Sequence, residues 1–298
     1  MSDSKITVIG SINMDLVTST NVIPNQGETV LGTNFLTMPG GKGANQAVAS
    51  AKLGGNVTMI GSVGSDVFGE ELKANLKEQG VSVEHIGQSA DAPTGIASII
   101  LSNGDNRIIV VPGANQGVTS AMIEEKEEMI ASSDVLLLQL EIPLETVEKA
   151  AEIAKKHHVK VILNPAPIQP LSEELLEKVD FITPNEHELA LLLKRIQSKE
   201  TKKDLYEKLI VTKGAEGVTY YQNGREHHIS SYKVEAVDTT GAGDSFNGAF
   251  AVGISRGMTK REACQLGNAV GALSVTKLGA QTGMPTQQEV EKFLEKMK

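Results

Sequence analysis

The chain has no tryptophan, and all aromatic residues together make up 3% of its 298 positions. A core of any size must therefore be built from Val, Ile, Leu, Ala and Met. One cysteine, Cys264, excludes an intrachain disulfide. It sits in an apolar helical stretch and reads as buried and inert. No apolar run approaches the roughly 18 residues of a membrane-spanning helix. No charged-then-apolar leader precedes the strand-like run Ile6–Ile9, so a cytoplasmic location is expected, away from the membrane. Basic residues are also in deficit. Lys and Arg number 28 against 37 Asp and Glu, a net charge of -9, which argues against a nucleic-acid surface. An anionic ligand is not excluded, because a phosphate site needs only local amides and one or two cations. The six histidines do not cluster. His157-His158 and His227-His228 are adjacent pairs, poor chelators on regular elements.

What is present is a 40% apolar chain with a repeated strand–helix rhythm and no internal repeat or linker. Helices are expected at 44–53, 68–79, 119–132, 144–157, 172–178, 185–194, 243–255, 260–277 and 286–297. Strands are expected at 57–63, 134–140, 159–163, 179–183, 209–212, 217–221 and 227–233. This alternation implies an α/β fold: a mostly parallel central sheet with helices on both faces, as a single domain over 1–298. Two segments break the rhythm. Residues 12–37 hold strand-like pieces with turns. Residues 94–111 read as a hairpin, Ile96–Leu101 and Arg107–Val111, joined through Asn103-Gly104-Asp105. Together they suggest a small β lid over a site, which suits chemistry that must exclude water.

Four motifs follow strand ends, where open parallel sheets bind ligands. Asp238-Thr239-Thr240-Gly241-Ala242-Gly243-Asp244 precedes an apolar helix. Glycines at a helix start leave free amides, and these with the helix dipole form an anion site. An acid there suits a base that takes a hydroxyl proton as the oxygen attacks phosphorus, although Asp244 as a plain helix cap fits the spacing equally. Pro39-Gly40-Gly41-Lys42-Gly43-Ala44-Asn45-Gln46-Ala47 again opens a helix with glycines, and Asn45 offers both donor and acceptor to a sugar hydroxyl. Asn13 and Asp15 alternate by two and share a face if extended. Asn185 and Glu188 share a helix face, and a carboxylate plus an amide suits a water-rich Mg²⁺ shell; a helix start with an acidic first turn explains them as well. Neither the nucleotide P-loop ending nor the dinucleotide fingerprint is present, which argues against a dehydrogenase.

Taken in order, Asn13/Asp15, Gly41–Asn45, Glu141, Asn164–Pro167, Asn185/Glu188 and Gly241–Asp244 resemble the ribokinase family, within the wider group of carbohydrate and nucleoside kinases. The resemblance covers nearly the whole chain and implies transfer of the γ-phosphate of ATP to a primary hydroxyl of a small sugar, D-ribose ahead of deoxyribose, a ketohexose or a nucleoside. It implies Asp244 as base and the amides of Gly241, Ala242, Gly243 and Asp244 as anion hole. Asn13, Asp15, Gly41, Lys42, Gly43, Asn45 and Glu141 would hold the sugar. Asn185, Thr212, Lys213, Gly214, Gly217, Gly243 and Asn268 would lie on the nucleotide side, with Mg²⁺ held by Glu188 and Asn185, in part through water. A K⁺ site is implied at Asp238, Thr240, Ser274, Lys277 and Gly279, and a homodimer through the lid. A non-catalytic sugar sensor on the same fold would have no need of Asp244. One departure stands out: the stretch 195–207 is shorter and more Lys-rich than the family pattern, which leaves its helix and the adenine contacts in question.

Overall fold

The computed structural model describes residues 4–102, 105–196 and 198–297. In chain order it contains β1 (Lys5–Ile9), β2 (Asn13–Thr20), β3 (Gly32–Gly40), α1 (Lys42–Lys52), β4 (Asn56–Gly64), α2 (Val67–Glu78), β5 (Val81–Ser89), β6 (Gly95–Ser102) and β7 (Asp105–Val111). Then come α3 (Ser120–Glu124), α4 (Glu127–Ala131), β8 (Val135–Leu138), α5 (Leu144–Lys156), β9 (Lys160–Leu163), α6 (Glu173–Lys178), β10 (Phe181–Ile182), α7 (Glu186–Arg195) and α8 (Lys199–Lys208). The chain closes with β11 (Ile210–Thr212), β12 (Gly217–Gln222), β13 (Arg225–Ser230), α9 (Ala242–Ser255), α10 (Lys260–Ser274), α11 (Ala280–Gly283) and α12 (Gln287–Lys296).

Six strands form the central sheet in the order β10-β9-β8-β1-β4-β5, every neighbouring pair parallel. Helices cover both faces. Strand β8 shows why its sequence is an unbroken apolar run: Val135 and Leu137 join the core that includes α1, α9 and α10, while Leu136 and Leu138 join the core beneath α3 and α5. Single bridges at Ile182–Leu209 and Asn185–Thr212 lead from β10 to an antiparallel sheet, β11-β12-β13. Cys264 is fully buried, and burial pushes its thiol up to about 12, so it is inert.

The second sheet runs β3-β2-β6-β7. Strand β2 pairs antiparallel with β3 and parallel with β6, which pairs antiparallel with β7. The two segments outside the rhythm thus form one four-stranded layer joined by a parallel pair. Asn103 and Gly104 of the expected turn lie outside the described residues.

Several elements depart from expectation, among them the short helix α11, which was not expected. The helix expected over 119–132 divides into α3 and α4, because the backbone turns at Glu125 and Lys126. Helix α10 stops at Ser274 rather than at residue 277, and β13 ends at Ser230 rather than 233. Strand β5 was not expected. A register shift between Thr58 and Ile60 breaks its pairing with β4, and with it the period-2 pattern that would have marked it. The shortened stretch before β11 does carry a helix, α8, whose Leu205 is buried and whose Tyr206 packs edge-on against Tyr221. Among the described residues, no helix is long and apolar enough to cross a membrane.

Candidate active site

Two cavities meet at the N-terminus of α9. One, of about 740 Å³, lies between the central sheet and the four-stranded layer. Asn13, Asp15, Gly41, Lys42, Asn45 and Glu141 line its floor, with Thr240, Gly241 and Asp244 at one end. Ala97, Ile99, Ile108 and Val110 of β6 and β7 form its roof. The other cavity, about 540 Å³, is lined by Asn185, Thr212, Gly214, Gly217 and Asn268, and by Thr239, Ala242 and Gly243 from the far side of the same loop. Residues 239–244 are the partition between the two.

The partition has the features of an anion site. Gly241 stands at φ 76°, in the left-handed region, and a Cβ there would lie 2.8 Å from that of Ala280. No side chain caps α9. The Ala242 amide donates to Thr239 O at 3.3 Å, so the anion-facing part of the expected hole narrows toward Gly243 and Asp244. Nothing stands within 4 Å of the position a Gly243 Cβ would take, so a ligand can approach the backbone there.

Asp244 is 7% exposed and held from two sides. Asn45 Nδ2 donates to its Oδ2 at 3.0 Å and Gln46 Nε2 to its Oδ1 at 2.9 Å. Asn45 follows from the α1 start, where Gly41 at φ 89° packs against the backbone of Asn13 and Ser11. Gly43, expected at the sugar, lies outside the cavity lining. It is the packing contact of α1, with a would-be Cβ 2.7 Å from Gly10 C, and its amide donates to Ser11 Oγ. Glu141 accepts from Ser11 Oγ and from the Lys42 amide through Oε2. Asn13 Oδ1 accepts from Asn115 Nδ2 at 2.7 Å, which turns the Asn13 amide nitrogen away from Asn115.

Electrostatically the floor is crowded with acid. Burial first, then Glu141 and Asp244, push the Asp15 carboxyl up to about 7, with Lys42 opposing. Asp244 above all holds the Lys42 ammonium above its ordinary range, against its own burial. Burial raises Glu188, while its bond from the Asn185 amide and the charge on Lys42 oppose that.

The nucleotide-side expectations are met unevenly. Asn185 and Glu188 form a reciprocal capping box, Oδ1 accepting from the Glu188 amide and Oε2 from the Asn185 amide, so each has one oxygen already engaged. Asn268 Nδ2 donates to Ile229 O and Ser230 O, which ties it to β13. Lys213 lies outside the cavity lining, its amide donating to Gly217 O. In the implied cation region, Asp238 accepts from the Thr240 and Gly279 amides. A Cβ on Gly283 would sit 2.5 Å from Ser274 O and 3.5 Å from Lys277 O, so an oxygen-lined cradle exists there.

A model of the pfkB family carbohydrate kinases matches residues 3–287. The chain belongs to that family. The ribokinase of Bacillus subtilis is 46% identical over 289 residues, 97% of this chain and 99% of that protein. The ribokinase of Lactococcus lactis is 46% identical over 295 residues, 99% and 98% of the two chains. The structure of Arabidopsis thaliana ribokinase complexed with ribose and ATP superimposes with a TM-score of 0.90 at 32% identity, covering 99% of each chain. The chain is thus an ATP-dependent carbohydrate kinase.

For this pfkB-family kinase, the sequence motifs supplied most of the floor and both ends of the partition. They missed Asn115, Gln46, Gln139 and Gln281 as members of the site. The signal for Gln46 was its place in the Gly41–Ala47 run. The others carried none, because a carboxamide reads as surface until burial is known.

Proposed function

We propose that the chain phosphorylates D-ribose at its primary hydroxyl, giving D-ribose 5-phosphate and ADP. The observation that carries this reading is the partition: one cavity on each side of residues 239–244, with a carboxylate on one face and helix amides on the other. Asn13, Asp15, Asn45 and Glu141 offer donors and acceptors suited to a polyhydroxylated ring of this size. Asp244 takes the hydroxyl proton as the oxygen attacks the γ-phosphorus in line. The bond to the bridging oxygen breaks and ADP leaves with its electron pair. The Gly243 and Asp244 amides stabilise charge on the transferring group.

Four carboxylates, Asp15, Glu141, Glu188 and Asp244, face one cation, Lys42. A polyphosphate enters such a place only with its own counter-cation, which fits Mg²⁺ held by the free oxygen of Glu188 and, through water, by Asn185. When bound, Mg²⁺ neutralises phosphate charge. Asp238, Ser274 and Lys277 fit K⁺ through oxygens, with Thr240 and Gly279 fixing the Asp238 carboxylate, so that a cation there would brace the 238–241 loop. The four-stranded layer serves as a lid over the sugar, and its outer face pairs with a second copy.

Asp244→Asn tests the base directly. It is expected to lower kcat by about 10²–10⁴-fold while calorimetric ribose binding persists. Retention of full turnover would remove Asp244 from its role.

A further inference from the structure

Around Asp244 the structure builds a relay of buried carboxamides, and only Asn45 among its inner members reaches the sugar cavity. Gln46 and Gln139 are fully buried. Gln46 Nε2 donates to Asp244 Oδ1 at 2.9 Å and to Asn164 Oδ1 at 3.1 Å. Its Oε1 accepts from Gln139 Nε2 at 2.6 Å. Asn164 is itself fixed, its Nδ2 donating to Thr183 O. On the other side, Gln281 Nε2 donates to Asn45 Oδ1 at 3.0 Å. Asn45 and Gln46 turn their donors to the carboxylate, which can only accept, and the Asn164 donor is turned to a main-chain carbonyl for the same reason.

Gln139 stands at a cost that packing does not explain. Its Oε1 is buried and has no hydrogen-bond partner among the described residues. A Cβ on residue 10 would overlap that oxygen, so Gly10 leaves it room. An apolar side chain of the same length would fill the space without an orphan acceptor. What the amide adds is its Nε2, which points Gln46 Oε1 away from Asp244. A reversed Gln46 would set oxygen against the carboxylate.

We propose that Gln46 is a positioning residue for phosphoryl transfer, clamping the Asp244 carboxylate toward the sugar hydroxyl, with Gln139 fixing the orientation of the clamp. This rests on the reading of Asp244 as base. Gln46 touches neither cavity, so it acts on the reaction through Asp244 alone.

The test uses the full chain carrying Gln46→Met, Gln139→Met, both together, and each with Asp244→Asn, with kcat, ribose KM and melting temperature measured for all. Gln46→Met is expected to lose about 100-fold in kcat with ribose KM within about threefold of the parent. Gln139→Met should lose about tenfold, and the double variant no more than Gln46→Met. The other charged groups around Asp244, namely Asp15, Lys42, Glu141 and Glu188, are unchanged in every variant. In the Asp244→Asn background, Gln46→Met should have no further effect. If Gln46→Met melts below the assay temperature, Gln139→Met must show the same split. A kcat within twofold of the parent, a loss confined to KM, or a further loss from Gln46→Met in the Asp244→Asn background overturns the proposal. If Asp244→Asn keeps full turnover, the base reading fails first; if only Asp244→Asn is impaired, the clamp alone fails.

Discussion

Asp15 places a carboxyl where folding disfavours its charge, while the proposed ribose contact would use that charge. With the folded value raised to about 7, the folded chain holds a proton that the unfolded chain releases near pH 4. Between those values the folded state binds more protons, so this group lowers stability as pH rises from about 4 to about 7. Asp15→Asn should therefore raise stability at pH 8 by on the order of 1–3 kcal/mol and change little at pH 4. The same change should raise ribose KM roughly 10–100-fold, through the lost charged acceptor. Thermal unfolding at the two pH values and steady-state kinetics check both halves; a variant less stable at pH 8 than the parent would contradict the account. The sequence disclosed Asp15, Asp244, Asn45 and Glu141 through their order along a family pattern, since each alone is an ordinary residue for a turn or a helix start. It disclosed Gln46 only as a letter in a run, and Gln139 not at all, since what matters about them is burial and the direction of an amide.

At the scale of elements, the lid is hung from a helix cap. Asp66 caps α2 through the Gly69 amide and also accepts from the Thr94 amide and hydroxyl, at 2.7 and 2.6 Å. Against the cost of burial, the bonds from Thr94 and Gly69 hold its carboxyl below the usual range. Thr94 precedes Gly95, where β6 begins, so one side chain ties α2 to the base of the lid. Asp66→Ala should cost about 1–2 kcal/mol in stability and raise ribose KM while leaving kcat at saturation nearly unchanged. A drop in kcat with KM unaltered would argue that the lid base does not govern sugar retention. Periodicity and caps marked most helices and the buried strands in the sequence. They failed at β5, where a bulge breaks the alternation, and between α3 and α4, where one helix over 119–132 was expected. Helix α8 shows that the shortened stretch before β11 still closes the core.

At the scale of the molecule, the lid presents apolar residues on both faces. Ile108 and Val110 line the sugar cavity and are still 52% and 44% exposed, while Ile109 and Val111, alternate on β7, lie outside its lining and are 64% and 46% exposed. Phe35 and Leu36 on β3 are exposed as well. An edge strand this apolar is an association surface, which is why a second copy is proposed to cover it. Sedimentation should show a dimer that Ile109→Glu converts to monomer; a monomeric parent would dismiss the pairing. The alternation of strands and helices already implied the sheet and the lid segments. The partition of two cavities by residues 239–244 was not legible, because it depends on distant parts of the chain, Asn13 to Glu141 on one side and Asn185 to Asn268 on the other, converging on the N-terminus of α9.

The central claim is tested most directly by ADP release with ATP, Mg²⁺ and K⁺ against D-ribose, 2-deoxy-D-ribose, D-fructose and adenosine. The account predicts that D-ribose gives the highest kcat/KM of the four. Turnover favouring another of these acceptors would contradict the ribose assignment, and no turnover with any of them would contradict the proposed reaction itself.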